Sequence, residues 1–166
     1  PLAVSWLLYR QTGDCALLQE NYTTIVKWLE FVETRSPGGG LMELWPETDH
    51  RSWCLGDWAV PRGVDQKHEP SVRLVINCYR IVCCETAARV AGALGRAGDA
   101  ARFRARAERL RPLVHAAFYD PASGTYADGD PIDLAFPLLA GVVPEPLREA
   151  VSRRLETEIL EVRKGH

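Results

Sequence analysis

An all-α chain of three αα-hairpins, arranged as a toroid or an α-solenoid, is the fold class that this sequence predicts. Three observations lead there: apolar residues recur at helical spacing, striped segments alternate with segments apolar on several sides, and short joins alternate with long ones. In 14–34, Leu18, Tyr22, Ile25, Leu29 and Val32 form a single stripe. Segment 99–118 repeats it with Phe103, Ala107, Leu110, Val114 and Ala117, although Pro112 is expected to bend or split that helix. A third stripe, over about 145–163, carries Leu147, Val151, Leu155, Ile159 and Val162.

Between the stripes lie 2–11, 71–94 and 131–141, apolar on more than one side and therefore expected to be buried on both faces. Pro137 should leave the last of these short or kinked. Gly13–Asp14 joins the first pair, with a glycine suited to a left-handed C′ position and an aspartate suited to N-cap. Gly98–Asp99 reads as a second copy of that turn, and Gly141 to Pro144 closes the third pair. The other connections, roughly 35–70 and 119–130, are longer. Short turns make antiparallel neighbours, so both long connections should emerge at one end, where function is usually built.

Composition narrows the function classes. A formal net charge of −2 provides no electrostatic reason to expect nucleic acid, and Arg102, Arg104, Arg106, Arg109 and Arg111 read as a solvated helix face. No apolar run approaches the roughly 18 residues of a membrane span, and no signal-peptide pattern stands at the start. Pro1 opens the chain and Met42 is its only methionine, so the native start is expected to be missing or removed. Cys15, Cys54, Cys78, Cys83 and Cys84 are odd in number and lack CxxC spacing, which argues against a metal site and fits a reducing, cytoplasmic compartment. No cofactor motif is present: Gly38–Gly39–Gly40 lacks the Lys-Ser/Thr ending of a phosphate loop, and there is no G-x-S-x-G or G-x-G-x-x-G.

The 35–70 connection is too long for a plain connector. It holds Trp45, Trp53 and Trp58 with Glu43, Glu47, Asp49, His50, Asp57, Asp65 and His68. Aromatic faces beside carboxylates suit a carbohydrate, whose C–H face stacks on the ring while acceptors take its hydroxyl protons. The same tryptophans would equally serve to pin a long loop to the helices. No spacing marks an acid and a base. His50 and His68 lack the pairing of a helical metal motif, and His115 falls on the mostly exposed side of its stripe.

At Gly56–Asp57–Trp58–Ala59–Val60–Pro61 the chain resembles the GDW-x-x-P stretch of the bacterial α-L-rhamnosidases, glycoside hydrolase family 78. SWLLYRQTGD (5–14), NYTTIVKWLEFVETRS (21–36), VINCYR (75–80), FYDPASGTYADG (118–129) and the final KGH (164–166) resemble further family elements in the same order. The resemblance implies about half of an (α/α)6 barrel, a partial catalytic domain over 1–166 truncated at both ends. It implies inverting hydrolysis of terminal α-L-rhamnose from glycosides, using an acid upstream of the first element and a base beyond the KGH. No catalytic residue is carried over, and the segment by itself is expected to be inactive.

Asp57 and Trp58 transfer by position as substrate-binding residues, with Trp53 as a weaker candidate from the same loop. Trp58 would wall the rhamnose pocket and Asp57 would bond a hydroxyl or brace the loop. GDPIDLAF (129–136) departs from the family pattern, which puts sugar contacts around Asp128 and Asp130 in doubt. The expected partners are a rhamnose-containing glycoside and the remainder of the polypeptide that completes the toroid. The alternatives are another α/α-toroid glycosidase or polysaccharide lyase, or a non-enzymatic α-solenoid; the uneven spacing of the joins favours the enzymes. Half a toroid would leave its inner helices with exposed apolar sides, so the isolated segment is expected to be weakly stable.

Overall fold

The computed structural model describes residues 2–43 and 69–164. Six helices follow in order: α1 (Leu2–Thr12), α2 (Ala16–Thr34), α3 (Glu69–Ala93), α4 (Ala97–Phe118), α5 (Pro131–Leu139) and α6 (Glu145–Thr157). A π-helical turn, Glu158–Val162, extends α6, and a two-stranded antiparallel hairpin, β1 (Tyr119–Asp120) and β2 (Thr125–Tyr126), lies between α4 and α5. The helices pair as α1/α2, α3/α4 and α5/α6, and α3 also packs on both α1 and α5. Helices α1, α3 and α5 are thus adjacent inner rods, and the stripe of α2 is buried throughout; in α4 Phe103, Ala107, Leu110 and Val114 are buried but Ala117 is exposed, and of the third stripe Val151 is buried, Leu147 and Leu155 are half-buried, and Ile159 and Val162 face solvent where the π-helical turn rotates the chain.

The central rod is the most enclosed. Leu74, Cys78, Ile81, Cys84, Ala87, Val90 and Ala91 of α3 are all fully buried, because this helix has neighbours on three sides. Phe103, Ala107, Leu110 and Val114 of α4 close on it without exposure, as does Leu134 of α5. Helix α1 differs from the expectation of burial on both faces. Only Ser5 is buried there, while Val4 and Leu7 are more than half exposed, because α2 and α3 cover one side only. Leu139 at the end of α5 and Tyr79 of α3 also face solvent. Among the described residues, no helix is long and apolar enough to cross a membrane.

The short joins are built as glycine C-caps, with one displacement. Gly13, at φ +71°, donates its N–H to Tyr9 O at 2.8 Å, a single-bond αL cap. Asp14 Oδ1 then accepts the N–H of Ala16, capping α2 from one residue behind Cys15. At the second join the left-handed residue is Gly95, not Gly98: Arg96 N–H reaches Ala91 O and Gly95 N–H reaches Gly92 O, a Schellman motif. Gly98 and Asp99 already belong to the first turn of α4, so the two turns are not copies. The resemblance of QTGD to RAGD misplaces the stop by one turn, because an aspartate is as favourable in a first helical turn as at its cap. Gly141, at φ +66°, makes the third stop as expected.

Pro112 sits inside α4, which is one continuous helix rather than two. It lies on the exposed side, where the carbonyl that its missing N–H would have bonded is open to solvent rather than stranded in the core.

Candidate functional site

Because α1, α3 and α5 begin at the end from which the long connections emerge, that end carries whatever the loops assemble. Asp57, Trp58 and Trp53, with Trp45, His50 and His68, lie outside the described residues. Described at that end are residues 40–43, the first half of α3, the hairpin and the start of α5.

Residues 40–43 run along α3. Arg80 donates to Gly40 O at 2.9 Å, Asn77 accepts the N–H of Met42 at 2.8 Å and donates back to its carbonyl at 3.0 Å, and Arg73 pairs with Glu43 at 2.6 Å. Arg80 also donates to Glu33 at 2.6 Å, where Arg106 and Arg109 converge at 3.2 and 2.9 Å. Burial by itself would raise the Glu33 carboxyl, but the Arg80 hydrogen bond and the three positive charges outweigh it and hold it below the ordinary glutamate range. Arg109 further donates to Gly39 O. Of the arginines read as a solvated face, Arg104 does project to solvent. Arg102 and Arg109 are exposed too, yet with the half-buried Arg106 and Arg111 they also tie α4 to α2 and α3. Apart from Asp99, which also pairs with Arg102, their acidic partners are distant in sequence, so helical spacing within 99–118 does not reveal them.

Opposite this strip, Asp133 in the first turn of α5 is fully buried. It accepts from Ser71 Oγ of α3 and from the N–H of Asp128 at 3.2 Å. Burial, with the Asp128 and Asp130 charges, pushes its carboxyl up to about 6 in spite of those donors. Enclosed in this way, it acts as a rivet joining α3, α5 and the hairpin. Asp130 carries an ion pair to Arg163 after the π-turn. The stretch GDPIDLAF is therefore occupied with tying elements together.

The hairpin is braced from within. Asp120 accepts the N–H groups of Ala122 and Ser123, and Gly124 turns at φ +69°. Tyr126 is fully buried and shares a 2.7 Å hydrogen bond with His115 Nδ1, whose ring stacks on Tyr119 at 4.8 Å. His115 is thus not on an idle exposed face, and burial lowers its pKa. The thiols of Cys78, Cys83 and Cys84 are buried and pushed up to about 12, 12 and 11 by that burial, which leaves them unreactive. Among the described residues, no group of three His, Cys, Asp or Glu side chains converges as a metal site would.

The profile of the bacterial α-L-rhamnosidase six-hairpin glycosidase domain matches residues 2–166. An α-L-rhamnosidase of Streptomyces avermitilis is 27% identical over 166 residues, covering 99% of this chain and 14% of that protein. The crystal structure of a Streptomyces avermitilis α-L-rhamnosidase in complex with L-rhamnose superposes with a TM-score of 0.78 at 24% identity, over 98% of this chain and 14% of that one. The α-L-rhamnosidase of Dictyoglumus thermophilum superposes with a TM-score of 0.75 at 21% identity, over 99% and 18%. Those two likenesses establish the fold as an α/α toroid, of which the three hairpins are a part. The chain spans about a seventh of the length of the curated relative. On the match along 2–166, the chain belongs to the bacterial α-L-rhamnosidase six-hairpin glycosidase domain family.

Proposed function

We propose that this chain is a partial catalytic domain, three hairpins of a six-hairpin barrel, in an α-L-rhamnosidase that removes terminal α-L-rhamnose from glycosides with inversion. The single observation that carries this is the family match running through all three hairpins. The general acid and general base come from the remainder of the polypeptide. In an inverting pair the two carboxyl groups stand far enough apart to admit a water between base and sugar. The hairpins described here supply the wall of that site. Trp58 stacks on or walls the rhamnose, Asp57 bonds a hydroxyl or braces the loop, and Trp53, from the same connection, is the weaker candidate.

The test uses the full-length polypeptide with p-nitrophenyl α-L-rhamnopyranoside, following the first-formed anomer by proton NMR. Release of nitrophenol with β-L-rhamnose appearing first is expected. No turnover would overturn the assignment, and α-L-rhamnose appearing first would overturn the inverting mechanism. The 166-residue segment alone is expected to show no turnover.

A further inference from the structure

We propose that Arg73, Asn77 and Arg80 form a positioning row for sugar binding, which holds residues 40–43 on a fixed line along α3 toward the loop-rich end. The proposal rests on the rhamnosidase reading and adds to it residues that touch no sugar. The three side chains stand at i, i+4 and i+7, on one face of α3. Their partners run in the opposite sense: Arg80 holds Gly40, Asn77 holds Met42 and Arg73 holds Glu43. The dimensions agree. Seven residues of helix rise about 10 Å, and three extended residues span about the same. Residues 40–43 therefore lie antiparallel to α3 and point to its N-terminus, where the sugar site is proposed.

Burial makes the choice of side chains informative. Asn77 is 1% exposed and Arg80 2%, in a helix otherwise packed with apolar residues. A buried amide or guanidinium is costly unless its hydrogen bonds are made, and apolar groups would pack α3 at least as well. What the polar groups add is direction. Asn77 mimics a backbone edge, taking Met42 N–H and returning a bond to its carbonyl, while its second N–H bonds Arg73 O at 2.8 Å. Arg80 extends the anchor through Glu33 to Arg106 and Arg109 of α4, so the row is braced by an outer helix as well. Trp45 follows Glu43 by two positions, and the remaining tryptophans of the connection come after it.

A row that positions the sugar-binding chain should affect substrate capture more than the chemical step. In the full-length enzyme, Asn77→Ala is expected to raise KM for p-nitrophenyl α-L-rhamnopyranoside about tenfold while kcat stays within about threefold. Arg73→Met, at the partly exposed outer rung, is expected to raise KM about threefold in the same sense. Wild-type KM in both variants, with or without a lower melting temperature, would reduce the row to packing and overturn the proposal. A fall in kcat at constant KM would overturn it too. If Asn77→Ala does not fold, Arg73→Met decides alone by the same criterion. A wild-type enzyme that hydrolyses no rhamnoside would overturn the rhamnosidase reading and this proposal together, whereas an active wild type with unmoved variants overturns only the row.

Discussion

Replacing Asp133 by asparagine should stabilise the junction of α3, α5 and the hairpin at neutral pH, contrary to the usual result of altering a fully buried, hydrogen-bonded residue. The carboxyl titrates at about 6 instead of its ordinary 3.8, because the folded chain buries it beside Asp128 and Asp130. A raised folded-state pKa means that the native protein binds this proton more tightly than the unfolded chain does. The ionisation penalty is therefore absent below about 3.8, grows between 3.8 and 6, and is complete above 6. That difference corresponds to about 3 kcal/mol at pH 7.5. Asparagine has the same shape and cannot ionise; its oxygen accepts Asp128 N–H while its amide donates to Ser71 Oγ.

Amide hydrogen exchange on the full-length protein, corrected for the intrinsic pH dependence of exchange, is the suitable assay. At pH 7.5, amides around 71–78 and 131–136 should exchange up to about 100-fold more slowly in Asp133→Asn than in wild type. At pH 4 the two proteins should match. Equal protection at both values, or faster exchange in the variant at pH 7.5, would refute the claim that an ionised, desolvated carboxylate burdens this junction.

Three other outcomes are expected. Glu33 has a folded-state pKa below its ordinary 4.5, so its stabilising effect is present above 4.5 and is lost as pH falls through the folded pKa; acid unfolding followed by circular dichroism should show Glu33→Gln weakened at pH 7 and closing on wild type as the pH falls below 4.5. Gly95→Ala should cost about 1 kcal/mol, read as a lower denaturation midpoint, because the position sits at φ +71° with no side-chain clash to add to the backbone strain. Trp58→Ala in the full-length enzyme should weaken L-rhamnose binding roughly tenfold by calorimetry, with the helical circular dichroism unchanged; unaltered affinity would return that tryptophan to packing.

The helices and their pairing were legible because each depends on local periodicity. Leu18, Tyr22, Ile25, Leu29 and Val32 declare their face within five turns and are all buried. The second stop was misplaced because RAGD imitates QTGD, and only the bonds of Arg96 and Gly95 show which glycine turns the chain. The framework of the site was not legible, since its meaning lies in pairings distant along the chain: Arg80 with Gly40, Asn77 with Met42, Ser71 with Asp133. An asparagine inside VINCYR and an aspartate inside PIDLAF look like interruptions of an apolar run. Fold and family were thus readable from the chain, whereas the polar joinery became readable only from the assembled helices.

The three glycine stops share one end of the molecule, and the polar row and the Asp133 rivet occupy the other. This division lets the two ends drift separately. Lengthening or recolouring the exposed turns at Gly13, Gly95 or Gly141 alters only how neighbouring rods are stapled. The rim, by contrast, is woven from residues some 30 to 60 positions apart, so a change to any one thread is felt by rods from different hairpins. Inherited variety should therefore pool at the stapled floor, leaving the woven rim slower to change.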